Sequence, residues 1–145
     1  MSTSKKVAVV SGGTKGIGLA ICNQLIEDGF EVFSSARNID DQAQSPIHYF
    51  KADLSSKEGI NQFADYVKAK VDYIDILVNN VGVFIPGKLM EEEDGIFEQQ
   101  INTNLASTYH LTRALIDHLR KSTKPYIFNI CSTASITPYP NGGSY

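Results

Sequence analysis

Short apolar runs alternate with stretches of helical period along the whole chain, and this alternation constrains the fold more than any other feature. Val7-Ala8-Val9-Val10 is apolar without interruption, as suits a strand covered on both faces. From Lys15 to Asp28 the apolar residues Ile17, Ile21 and Leu25 recur every four, with Ala20 beside them, and Gly29 supplies a stop. Glu31 to Ser35 and Ile47 to Lys51 read as the second and third strands. Ser55 and Glu58 form a capping-box pair ahead of a helix whose apolar face is Ile60, Phe63, Ala64, Val67 and Val71. Ile74 to Val78 is a fourth strand. A long helix then runs to about Lys121, with Ile101, Leu105, Thr108, Leu115 and Leu119 on or near one face. Tyr126 to Cys131 is a fifth strand, entered from Pro125, a residue tolerated at a strand start. Strand–helix–strand units in this series predict an α/β fold, a parallel sheet with helices on both faces. Residues 36–46 leave no room for a full crossover helix, so a single turn near residues 40–43 is expected there.

Composition narrows the class. Of the 145 residues, 42% are hydrophobic and 20% charged, which is ordinary for one globular domain and excludes disordered, collagen-like and coiled-coil chains. The net charge of -3 and the lack of an arginine run argue against nucleic acid as a partner. No apolar stretch approaches a membrane span, and Met1 to Lys6 lacks the layout of a signal peptide; a cytoplasmic protein is the expectation. Cys22 and Cys131 stand far apart, without a CxxC or histidine pattern, and read as reduced thiols inside apolar elements. The acidic run Glu91 to Asp94 reads as dipole-complementing charge at the start of the long helix rather than as a metal site.

One cluster carries chemistry. Ser11-Gly12-Gly13-Thr14-Lys15-Gly16-Ile17-Gly18 lies where the first strand gives way to the first helix. Glycines there allow a tight turn and close approach to a pyrophosphate seated on the positive helix N-terminus. The end of strand two reads Ser34-Ser35-Ala36-Arg37, with no acid to hold the ribose hydroxyls of NAD. Arg37 and Lys15 are instead two cations available to a 2′-phosphate, so NADP(H) is the expected cofactor.

The spacing of Gly12, Gly16 and Gly18 resembles the TGxxxGxG motif of the short-chain dehydrogenase/reductase family, with Ser11 for Thr. Asn79-Asn80-Val81-Gly82 resembles its NNAG motif, and Asp53-Leu54 its adenine-contacting Asp position. Asn129-Ile130-Cys131-Ser132 resembles its N-I-S-S segment, and Tyr145 lies thirteen positions beyond Ser132, the family's Ser-to-Tyr spacing. Asn104 falls on the long helix where the family carries an Asn. The resemblance implies a Rossmann-type sheet in the order 3-2-1-4-5, with a nucleotide held by Gly12, Thr14, Lys15, Gly16, Ile17, Gly18, Arg37, Asp53, Leu54, Asn80, Val81 and Gly82. It also implies a catalytic set of Asn104, Ser132 and Tyr145, a small carbonyl or alcohol substrate, and a homo-oligomer for the full-length protein.

In the family a Lys four residues after the Tyr eases its proton transfer; that position lies beyond residue 145. Residues 1–145 are therefore read as one domain, incomplete at its C-terminus and cut after strand five, and inactive in isolation. Strand five is expected to present a bare apolar edge, and Ser135 and Ser144 to serve turn chemistry. The alternative reading is a nucleotide-binding or interaction module without turnover.

Overall fold

A computed structural model describes residues 5–39 and 45–145. Five strands form one all-parallel sheet in the order β3-β2-β1-β4-β5. These are β1 (Val7–Ser11), β2 (Glu31–Ala36), β3 (His48–Lys51), β4 (Ile76–Asn79) and β5 (Tyr126–Asn129). The expected order and parallel sense are borne out.

Alternation along β1 sorts the core into two layers. Val7 and Val9 join Phe33 and Leu77 beneath α2 (Lys57–Lys68) and α4 (Ser107–Arg120), whose Ile60, Phe63, Leu111 and Leu115 are buried. Ala8 and Val10 join Val32 and Val78 beneath α1 (Gly16–Glu27), through Cys22 and Leu25. Helices thus cover both faces, the doubly wound arrangement. At the β3 edge, Phe50 stacks on Tyr66 of α2, with centroids 4.8 Å apart. The turn expected near residues 40–43 lies outside the described residues.

Three helical expectations are corrected. α1 turns Gly18, Cys22 and Leu25 inward, whereas Ile17 is 64% exposed and Ala20 also faces out. The stripe is offset by one residue in the first two turns, where Gly18 packs against the Gly12 carbonyl and Asn80, and Leu25 is buried as expected. The N-cap of α2 is Ser56, not Ser55: its Oγ accepts the Gly59 N–H at 3.0 Å, and Ser55 bonds to Asp53 instead. Finally, the long helix is not uniform. α3 (Ile96–Ile101) passes through a π turn at Asn102–Ala106 before α4 begins. A π turn takes up an extra residue, so the downstream turns are rotated by about 100° relative to a continuous helix. Leu115 and Leu119 are buried with Ser107 and Leu111, whereas Leu105 is 62% exposed and does not share their face.

The acids before α3 also divide their roles. Gly95, at φ +92°, occupies the N-cap; Glu91 pairs with Lys88 at 2.9 Å, and Glu92 bonds to Ser144. The first-turn acid is Glu98. β5 ends at Asn129, two residues early, so Cys131 is exposed in a loop while Cys22 is buried as expected. As the edge strand, β5 exposes Tyr126, Ile127 and Phe128.

Candidate active site

The carboxyl ends of β1, β2 and β4 meet around the glycine loop. Gly12 (φ +74°) donates its N–H to the Ser35 carbonyl at 2.9 Å. The Gly13 N–H donates to Ser34 Oγ at 2.9 Å, Ser34 Oγ donates to the Val10 carbonyl at 2.6 Å, and Tyr49 Oη donates to the Gly13 carbonyl at 2.8 Å. Just past β4, Asn80 Nδ2 donates to the carbonyls of Ser11 and Gly12, at 2.9 and 3.2 Å. Ser11 Oγ accepts the N–H groups of Asn80 and Val81, at 2.8 and 3.0 Å. The serine that replaces the motif's threonine therefore helps to tie the end of β1 to the segment that follows β4.

The loop leaves a helix N-terminus free. Lys15 caps α1 in an extended conformation without a side-chain bond, and its first turn holds no acid. By contrast α2 has its cap filled by Ser56. Uncapped N–H groups at a helix start form an anion site. A Cβ at Gly18 would collide with the Gly12 carbonyl, whereas one at Gly16 would meet open space. The cradle has room for a pyrophosphate, which the backbone of Gly12, Thr14, Lys15, Gly16 and Ile17 would border.

Arg37, at the end of β2, and Asp53, after β3, line one cavity of about 370 Å³, with Lys15 outside it. Asp53 Oδ1 accepts both the N–H and the Oγ hydrogen of Ser55, at 2.9 and 2.8 Å. Those bonds, the backbone one first, hold its carboxyl below the usual range despite partial burial, and Arg37 adds to the effect. Leu54 is buried in the core and does not line this cavity.

A second cleft, of about 560 Å³, takes in Asn80, Gly82, Asn104, Ser132 and Tyr145. Asn104 clasps Val83 from both ends: its Oδ1 accepts the Val83 N–H at 2.7 Å, and its Nδ2 donates to the Val83 carbonyl at 2.8 Å. Its side chain therefore shapes the loop after β4 from the wall of the cleft. Ser132 Oγ accepts the Ala134 N–H at 3.1 Å, which leaves its own hydrogen to donate elsewhere. The Tyr145 ring meets Phe84 edge-on, with centroids 4.8 Å apart.

Sequence reasoning missed Phe84, Gln100 and Glu92, and it assigned Ser144 to turn chemistry. Ser135 does make a turn, donating to the Ser132 carbonyl at 2.7 Å, but Ser144 bonds to Glu92 and Gln100. Gln100 left one signal: it is a polar residue four before Asn104, on the same inward helix face.

A glycine loop on a doubly wound parallel sheet thus stands beside an uncharged cleft. Residues 6–145 match the short chain dehydrogenase family, and the chain belongs to it. A 3-oxoacyl-(acyl-carrier-protein) reductase of Haemophilus influenzae is 32% identical over 148 residues, covering 97% of this chain and 60% of the relative. An NADPH-dependent 1-acyldihydroxyacetone phosphate reductase of Saccharomyces cerevisiae is 29% identical over 153 residues, covering 99% and 51%. A solved metagenomic short-chain oxidoreductase in complex with NADP has a TM-score of 0.86 at 32% identity, covering 97% of this chain and 68% of that one. The chain spans 51% to 64% of the length of curated relatives such as these. Among the described residues no helix is long and apolar enough to cross a membrane.

Proposed function

We propose that the protein is an NADP(H)-dependent oxidoreductase that interconverts a small carbonyl compound and its alcohol. The observation that carries this reading is the convergence of Asn104, Ser132 and Tyr145 on one cleft bordered by Asn80 and Gly82, beside the glycine loop. The preference for the phosphorylated cofactor is supported by Arg37 at an acid-free end of β2. The NADPH-dependent yeast relative and the NADP-bound structure support the same choice.

When bound, the nicotinamide supplies or accepts the hydride. Tyr145 delivers a proton from its phenol to the carbonyl oxygen during reduction and takes it back during oxidation. Ser132 donates a hydrogen bond to the same oxygen, its hydroxyl oriented by the bond it accepts from Ala134. Asn104 holds the loop after β4 in place beside the cleft through Val83.

The test uses the complete protein, with NADPH and a panel of a small ketone, a 3-oxoacyl thioester and a sugar. At least one compound should be reduced. Tyr145→Phe should lower that rate by about 10²- to 10⁴-fold, the usual share of a general acid, while NADPH binding persists. Nucleotide binding with no turnover across the panel would favour a binding module, and full activity in Tyr145→Phe would show that another group is the acid.

A further inference from the structure

Ser144, the neighbour of Tyr145, is gripped by two side chains from across the cleft. Gln100 Nε2 donates to Ser144 Oγ at 2.7 Å. Ser144 Oγ in turn donates to Glu92 Oε1 at 3.1 Å, and the Ser144 N–H donates to the same oxygen at 2.8 Å. The direction of this relay is fixed, because a carboxylate can only accept. Gln100 is 1% exposed, and its Oε1 accepts the Ile85 N–H at 3.1 Å, so both ends of its amide are committed. The main chain reinforces the grip. Gly87 pairs with Gly142, and its N–H donates to the Asn141 carbonyl at 2.9 Å. A Cβ at Gly143 would run into the Glu92 carboxylate, so glycine there is what lets that group reach Ser144.

We infer that Glu92 and Gln100 are positioning residues for Tyr145: by fixing the main chain at Ser144 they set where the phenol stands over the cleft. This rests on the carbonyl-reduction reading. Neither side chain lies in the glycine-loop cradle, and neither supplies the proton. One peptide unit separates the gripped residue from the Tyr145 Cα, about 3.8 Å, so a shift at Ser144 passes directly to the ring. Phe84 walls the ring on one side but holds no backbone atom of the segment in place.

The experiment measures single-turnover reduction by excess complete protein, using NADPH and whichever panel compound the wild type reduces. Glu92→Leu and Gln100→Leu should each lower the single-turnover rate constant by about 10- to 100-fold, as expected when a reacting group is misplaced by about 1 Å. NADPH affinity should be unchanged. Glu92→Gln keeps an acceptor oxygen at the same place and should restore the rate. Hydrogen exchange at the Ser144 and Tyr145 amides should quicken in Glu92→Leu and return to the wild-type rate in Glu92→Gln. A structural defect alone would lower the amplitude and spare the rate constant, and that result would overturn the inference. Unchanged exchange in Glu92→Leu would overturn it too. If Gln100→Leu fails to fold, Ser144→Ala removes the shared hydroxyl from a partly exposed site and decides the same question. Tyr145→Phe inactive beside a full-speed Glu92→Leu defeats the positioning role and leaves the reading intact. A fully active Tyr145→Phe defeats the reading itself.

Discussion

The glycine loop after β1 and the Tyr145 segment after β5 are both ends of strands in the same sheet, yet they are held by opposite means. Around the loop, the ties run among strand ends: Ser11, Ser34, Ser35 and Asn80 bond to backbone, and Ser11 and Gly13 are buried. Beyond β5, the strand itself is exposed, and Tyr145 is braced by Phe84, Glu92 and Gln100 through Ser144. The first region is rigid because the sheet makes it so. The second leans on side chains from distant elements, beside a single backbone bridge between Gly87 and Gly142.

Breaking the loop should therefore cost stability and binding together. Gly18→Val places a branched side chain against the Gly12 carbonyl and Asn80, and it should lower unfolding free energy by about 3 kcal/mol and abolish nucleotide binding. Gly16→Ala, where only the positive φ of 56° is offended, should cost about 1 kcal/mol. Denaturant titration of the two variants reads the difference. Equal losses would show that the loop's ties do not matter.

At the outer edge of the same region, Arg37→Ala should act on affinity alone. Losing one charge-assisted contact to the 2′-phosphate costs about 1.5–3 kcal/mol, or roughly 10- to 100-fold for NADPH, with NADH binding unaffected. Calorimetry with both nucleotides checks this. An unaltered preference would remove Arg37 from the site.

The smallest expected effect concerns the core beneath the loop. Burial raises the Cys22 thiol from its ordinary 9.0 to about 11, against a modest opposing bond to Ser34. The folded state thus holds its proton more tightly than the unfolded one. This contribution is complete below pH 9 and is lost as pH rises through 11. At about pH 10 the loss is on the order of 1 kcal/mol. Unfolding of wild type and Cys22→Ala from neutral to alkaline pH should show the steeper decline in wild type, and parallel declines would refute the assignment. The exposed Cys131 offers a contrast, and thiol reagents should label it long before Cys22.

These regions also differ in how far the sequence revealed them. The sheet order followed from the family resemblance that the motifs carry. The strands and the glycine loop were legible because each depends on local pattern: an unbroken apolar run, a glycine spacing, an Asn pair at the end of β4. The bracing of Tyr145 was not, since Glu92 reads as one acid among four and Gln100 as one polar helix residue. Only the fold brings them within bonding distance of Ser144. The departures at Ile17 and Leu105 have different physical origins. At Ile17 the close approach of Gly18 to Gly12 fixed the phase of α1. At Leu105 the π turn broke the phase between α3 and α4.

That π turn has a consequence for how this helix can change over evolutionary time. Gln100 before the turn and Asn104 within it line the cleft; downstream, Leu111, Leu115 and Leu119 pack into the core. The extra residue uncouples the two stretches, so each can be selected by its own partners without dragging the other out of register. One continuous element then answers to two sets of partners, and a substitution that reshapes the cleft at its N-terminal half leaves the core-facing row of α4 in place.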